Sequence, residues 1–133
     1  MLAISASEAC LEAFEKLKMK KKTAYQIYAI QGKNIECEVD VLKADAGEED
    51  EYAQKFIDEL KGKGVRYGVI DYNGKVLFVS WSPDTGKAQN KMKYASSKEP
   101  FKTSLVGLTA HLQATDDGEL TVDAFKEKCK SKV

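Results

Sequence analysis

The chain is poor in the residues that interrupt or staple a fold. Among its 133 residues the only prolines are Pro83 and Pro100, so long regular elements can form almost throughout. Cys10, Cys37 and Cys129 are odd in number and widely spaced. With no C-x-x-C pair they predict neither a disulfide framework nor a zinc ribbon, and they point to a reducing compartment, the cytoplasm. No apolar run approaches the roughly 20 residues of a membrane span. The opening Met1-Leu2-Ala3-Ile4-Ser5 lacks the basic and apolar regions of a secretory signal. Lys plus Arg and Asp plus Glu each number 21, so the net charge is zero and a uniformly basic nucleic-acid coat is excluded. A local basic patch remains allowed.

What is present suits one globular domain over residues 1–133, with 43% hydrophobic and 32% charged residues. Ser7 reads as the N-cap of a first helix with Cys10, Leu11, Phe14 and Leu17 as its apolar stripe, followed by a lysine cluster at Lys18, Lys20, Lys21 and Lys22. Thr23–Ile30 reads as a strand, and Ile35–Val41 alternates apolar and acidic residues as a second. Tyr52, Ala53, Phe56, Ile57 and Leu60 make a helical stripe that Gly62 and Gly64 end. Val65–Tyr72 and Val76–Val79 flank Asn73-Gly74, a type I′ hairpin signal. Ser82-Pro83-Asp84 then predicts a helix start, with Ala88, Met92 and Ala95 inward and Lys87, Lys91, Tyr94 and Lys98 on another face. Ser96-Ser97 reads as a break before a second helical piece, because Pro100 fits the first turn of a helix better than its interior. Thr109–Thr115 predicts a last strand, and Thr121 the cap of a final helix with Val122, Phe125 and Cys129 inward. Hairpins mixed with helices predict an α/β chain of α+β character, a central mixed β-sheet flanked by helices.

Enzymatic constellations are sparse. His111 is the single histidine, on a segment that reads as a strand, where a structural role is the commoner one. Gly62-x-Gly64-x-x-x-Gly68 follows a helix and precedes a strand, the reverse of a phosphate-cradling loop. Glu48–Glu51 leads into a helix, where acids suit the dipole. These readings predict no catalytic residue and no metal site. The unusual stretch is Lys87–Lys102, a lysine-rich helix with an aromatic residue and Met92, suited to docking on an acidic partner.

Trp81-Ser82-Pro83-Asp84-Thr85 followed by Lys91-Met92-Lys93-Tyr94-Ala95-Ser96-Ser97-Lys98-Glu99 resembles the signature of the actin-depolymerising factor/cofilin family. Ala13–Lys18, Tyr67–Tyr72 and Leu112–Asp116 extend the resemblance over essentially the whole chain. It implies a single ADF-homology domain that binds actin monomers, with preference for the ADP-bound form, and filaments, and that promotes depolymerisation, severing and turnover. It implies no enzyme activity, no cofactor and a monomeric protein in the cytoplasm and actin cytoskeleton, while the zero net charge and the lack of a basic-aromatic strand motif argue against a nucleic-acid partner. The alternative is a module of the same fold that binds filaments or the actin-branching complex without disassembling filaments.

Carried over by motif, the monomer contacts are Ala3, Ile4, Ser5, Gln89, Lys91, Met92, Lys98, Glu99 and Lys102. The filament contacts are Lys75, Glu127 and Lys128. Family inhibition by phosphoinositides implies phosphate contacts at Lys20, Lys21, Lys22, Lys91 and Lys98. The chain departs from the family in having Gln89 and Thr103 where basic residues are common. It also has only Asn73-Gly74-Lys75 where many members carry a longer basic loop. Leu2 stands at the usual regulatory serine, which leaves Ser5 as the phosphorylation candidate. These departures predict a monomer-biased protein with weak filament binding.

Overall fold

In the computed structural model, which describes residues 4–130, six strands form one mixed sheet in the order β1-β3-β2-β4-β5-β6. The strands are β1 (Ser5–Ala6), β2 (Thr23–Gln31), β3 (Asn34–Leu42), β4 (Arg66–Tyr72), β5 (Lys75–Trp81) and β6 (Ala110–Ala114). The helices are α1 (Glu8–Lys20), α2 (Glu49–Lys63), α3 (Ala88–Ser104) and α4 (Val122–Lys128). Both edge strands pair in parallel, β1 with β3 and β6 with β5, while the interior pairs are antiparallel. The predicted central sheet flanked by helices is therefore what the chain builds.

Each face of the sheet carries its own core. Phe56, Ile57 and Leu60 of α2 and Phe125 of α4 pack with Tyr25, Ile27, Leu77 and Val79. Phe14 and Leu17 of α1 and Tyr94 and Phe101 of α3 pack with Tyr28, Tyr67 and Phe78. Helices on both faces explain why β2 and β4 are buried along nearly their whole length and read as continuous apolar runs. At Gly68 a Cβ would stand 2.5 Å from Phe56 Cζ, so the missing side chain lets α2 approach the sheet.

Local signals match the structure at most boundaries. The Ser7 side chain accepts from the Cys10 N–H, and the Thr121 side chain accepts from the Ala124 N–H. Asn73 at φ 51° and Gly74 at φ 74° make the expected tight turn. Gly64, at φ 85°, ends α2, while Gly62 lies inside that helix. Leu11 and Val122 are only half-buried.

The stretch before and through α3 differs from expectation in three ways. No helix begins at Ser82-Pro83-Asp84: these residues form a turn closed by the Gly86 N–H on the Pro83 carbonyl (2.9 Å), and α3 starts at Ala88. The expected helix pair is one helix of 17 residues with Pro100 inside it. Proline there removes the intrahelical bond to the Ser96 carbonyl, a cost on the order of 3 kcal/mol. Aromatic packing on both sides of the gap holds the helix together. Phe101 stands 5.3 Å from the Tyr28 ring and 5.2 Å from the Tyr67 ring, and Tyr94 stands 5.1 Å from Tyr67. Finally, the helix is rotated from the expected orientation: Ala88, Met92 and Ala95 face outward, while Tyr94, Ser97 and Phe101 face the sheet. Two rings bury far more apolar area than an alanine-methionine stripe, so the aromatic face wins. Ser5–Ala6, which no sequence pattern marks as a strand, adds the short parallel strand β1.

Candidate functional site

The rotation of α3 creates the most distinctive surface of the molecule. Met92 is 74% exposed, the most exposed of the large apolar side chains among the described residues. Lys91 and Lys98 flank the buried Tyr94 and are half-buried along their stems, leaving their ammonium groups at the rim. Lys91 lies 4.0 Å from the Asp84 carboxylate, and Lys98 donates to the Gln113 side chain of β6 (2.7 Å). Lys102 pairs with Glu99 at 3.4 Å. Such surface pairs are weak and open readily to a partner. Gln89 is exposed at the start of the same helix.

Two tyrosines fix which side of α3 faces solvent. The Tyr67 hydroxyl donates to the Tyr94 carbonyl, inside the helix. The Tyr94 hydroxyl accepts from the Ile30 N–H at 2.9 Å, beyond the last register pair of β2 with β4. Burial raises the Tyr67 hydroxyl well above the ordinary phenol range, so it stays a proton donor at neutral pH. Sequence reasoning singles out neither tyrosine as an anchor. The available signal is the three- and seven-residue spacing of Tyr94, Ser97 and Phe101.

The N-terminal lead reaches the same face. Ile4, Ser5, Ala6 and Leu11 line a hollow of about 210 Å³ against Pro100, Phe101 and Ser104. Ser5 is exposed, and its N–H donates to the Lys33 carbonyl at 3.1 Å. Ala3 and Leu2 lie outside the described residues. The structure thus brings Ile4 and Ser5 beside the C-terminal half of α3, with Lys91 and Met92 toward its other end.

The predicted filament residues gather at a separate place. The Asn73 side chain donates to the Cys129 carbonyl at 2.7 Å, and the Asn73 N–H donates to Glu49 at 2.9 Å. This ties the β4–β5 hairpin and Lys75 to the end of α4, which carries the exposed Glu127 and Lys128. The hairpin is a two-residue turn clamped to the body of the protein.

The predicted phosphate-contacting lysines do not form one cluster. Lys18 donates to the Val106 carbonyl just past α3, so Lys20, Lys21 and Lys22 lie toward the C-terminal end of that helix. Lys91 is one turn from its N-terminus, about 20 Å away along the helix. Lys91 and Lys98 instead share a hollow of about 100 Å³ with Ser80, Ser82 and Gln113.

Burial makes the three cysteines poor nucleophiles at neutral pH. Burial pushes the Cys10 and Cys37 thiols up to about 12 and the Cys129 thiol up to about 11. His111 is exposed on β6, and its pKa is lowered by burial of part of the ring and by Lys102, with further contributions from Lys128 and Lys98. No cluster of potential metal ligands occurs among the described residues.

The sequence profile of the family described as cofilin/tropomyosin-type actin-binding protein matches residues 3–130. The chain belongs to this family. A cofilin of Cryptococcus neoformans is 37% identical over 139 aligned residues, covering 97% of each chain. The cofilin family also supplies similar solved structures. A cofilin of Streptomyces griseoflavus superposes with a TM-score of 0.81 at 30% identity, over 96% of this chain and 100% of that one. Actin depolymerization factor 2 of Plasmodium berghei gives a TM-score of 0.85 at 25% identity, over 98% and 100%.

Proposed function

We propose that residues 1–133 act as one actin-depolymerising domain that docks on actin monomers through α3 and the N-terminal lead. The observation that carries this reading is the outward Met92 on a lysine-flanked helix in a cofilin-family chain. Lys91, Lys98 and Lys102 steer the helix toward an acidic surface, and Met92 fills an apolar notch there. Ala3, Ile4, Ser5, Gln89 and Glu99 extend the contact. Lys75, Glu127 and Lys128 meet a second actin subunit in a filament. ADP-bound actin is the preferred form, and the protein works as a monomer in the cytoplasm, with no cofactor and no catalytic step.

The clamped Asn73-Gly74 turn supports a monomer-biased version of this activity. A hairpin tied to Cys129 and Glu49 does not project far toward a second subunit. High-speed pelleting with preformed actin filaments tests this. The expected result is actin moving to the supernatant with little of this protein in the pellet. Pelleting of both at a near one-to-one ratio would refute the monomer bias, and no effect on actin would refute the function itself.

Two modes of control belong to the same reading. Anionic phosphoinositide headgroups compete with actin at Lys91 and Lys98, with Lys20, Lys21 and Lys22 as a separate electrostatic contact. Unchanged actin binding beside phosphoinositide vesicles at low salt would count against this. Phosphate on Ser5 places negative charge beside Pro100 and Ser104 at the docking face. A Ser5→Glu variant should bind actin more weakly than Ser5→Ala, and equal affinities would remove Ser5 as a control point.

A further inference from the structure

Ser82-Pro83 is the only serine- or threonine-proline pair in the chain, since the other proline, Pro100, follows Glu99. It opens the segment between β5 and α3, which forms neither helix nor strand and exposes Asp84, Thr85 and Lys87. A proline disfavours the helical region for the residue before it, so Ser82 continues the extended run of β5. The Ser82 N–H donates to the Ala114 carbonyl at 3.0 Å, which carries the contact between β5 and β6 one residue beyond Trp81.

Alternation along an extended chain decides where Ser82 points. Val76 and Phe78 pack with α1 and α3, while Leu77, Val79 and Trp81 pack with α2 and α4. Ser80 and Ser82 therefore stand on the α3 side. There the half-buried Ser82 lines the hollow of about 100 Å³ whose walls include Lys91, Lys98 and Gln113. Ligand sites run to roughly 300–1,000 Å³, so this one suits a group of a few atoms. Its two ammonium groups are only loosely engaged. Lys91 stands 4.0 Å from Asp84, and Lys98 donates to the uncharged Gln113 side chain at 2.7 Å. Asp84 is the carboxylate at its edge. Glu119, behind Thr115, is engaged by the Thr115 N–H and hydroxyl, both at 2.8 Å. An anion held at Ser82 meets a net positive site.

We propose that Ser82 is the acceptor of a proline-directed protein kinase and that its phosphate lodges against Lys91 and Lys98. The Ser82 Oγ attacks the γ-phosphorus of ATP brought by the kinase. The Oγ–P bond forms, the bond from that phosphorus to the bridging oxygen breaks, ADP leaves, and the hydroxyl proton passes to the kinase's catalytic base. The phosphate carries about −1.5 to −2 charges at pH 7. It displaces Asp84 from Lys91 and Gln113 from Lys98. Both lysines are then drawn off the docking face of α3, and affinity for actin monomers falls. That consequence rests on the docking reading, whereas the site itself does not. Ser5 sits beside the C-terminal half of α3, so Ser82 acts on the other half of the same face.

The full-length protein would be incubated with a proline-directed serine kinase and magnesium ATP, beside a Ser82→Ala variant and a synthetic peptide of residues 76–90. Phosphate should enter the native protein at Ser82 and should not enter the variant. Labelling of the peptide alone would mean that the fold withholds Ser82, and labelling of neither would mean that the motif is not read. Either result overturns the proposal. The phosphoprotein would then be titrated by phosphorus-31 nuclear magnetic resonance. Free phosphoserine loses its second proton near about pH 6. Two neighbouring ammonium groups favour the dianion, so this value should be about 5.5 or lower in the protein. It should return to about 6 when Lys91→Gln and Lys98→Gln are combined. A value of about 6 in both proteins would overturn the placing of the phosphate in the hollow. Phosphorylation should also weaken binding to actin monomers about three- to tenfold at low salt, as expected for the loss of two charge contacts. Equal affinities would overturn the regulatory role. The phosphorus titration contains no actin, so a protein that bound actin in neither form would remove the docking reading and leave the Ser82 site standing.

Discussion

Truncating Met92 separates two opposed accounts of α3. If Met92 belonged to the core, Met92→Ala would cost about 2–5 kcal/mol of stability. With 74% of the residue exposed, the fold loses almost nothing, and the change should stay within about 0.5 kcal/mol. The loss should appear on binding instead. Full burial of a methionine side chain is worth about 1.5–3 kcal/mol. With three-quarters of the residue still exposed in the free protein, roughly 1–2 kcal/mol remains to be gained at an interface. At about 1.4 kcal/mol per factor of ten, actin-monomer affinity should fall about five- to thirtyfold. Urea denaturation gives the first quantity, and titration of fluorescently labelled actin monomers gives the second. A variant destabilised by about 2 kcal/mol or more would refute the outward orientation of α3. A variant with unchanged stability and unchanged affinity would refute the placing of Met92 at the centre of the contact.

Other perturbations follow from particular contacts. Tyr67→Phe removes the hydroxyl that donates to the Tyr94 carbonyl while keeping the ring, and should lower stability by about 0.5–1.5 kcal/mol in urea denaturation. Gly68→Ala drives a methyl group to 2.5 Å from Phe56 and should cost about 1–3 kcal/mol, measured the same way. His111 has its folded pKa below the ordinary value of 6.5, so the unfolded chain binds the proton more readily. Its contribution to stability is present above about pH 6.5 and is lost as pH falls through the lower folded value. Melting temperatures between about pH 5 and 7.5 should therefore fall more steeply toward acid for the native protein than for His111→Gln, and parallel curves would refute this.

Elements whose periodicity came from a single dominant face were legible in the sequence. The α2 stripe, the alternation of β3, the Asn73-Gly74 turn and the caps at Ser7 and Thr121 all depend on nearby residues, and local rules describe them. Helix α3 was harder because it offers two candidate faces. Ala88, Met92 and Ala95 are apolar by type, while the face that is buried includes Tyr94 and Ser97. Only the ring cluster of Tyr28, Tyr67 and Phe78, contributed by three strands, decides between them. The same cluster explains why Pro100 does not end the helix, since packing from distant segments overrides a local breaker. Strand β1 was invisible for a related reason: two residues carry no periodicity, and its pairing with Asn34 and Ile35 is set by the sheet edge. Within the candidate surface, the motif gave the positions of Lys91, Met92 and Lys98. It did not give the clamp on the hairpin or the separation of Lys20–Lys22 from Lys91, which are properties of the assembled fold.

The parallel pairing of β1 with β3 has a practical consequence for handling the molecule. It delivers Ser5 to the hollow beside Pro100 and Ser104, so anything joined ahead of Ile4 emerges at the edge of the α3 face. An affinity tag or fluorescent protein placed there would crowd the surface whose binding it was meant to report. Attachment beyond α4 puts the same burden next to the clamped hairpin instead, leaving α3 open while obstructing the proposed second contact. A pair of fusions, one ahead of Ile4 and one beyond α4, would therefore work as a crude steric test of the two proposed actin contacts.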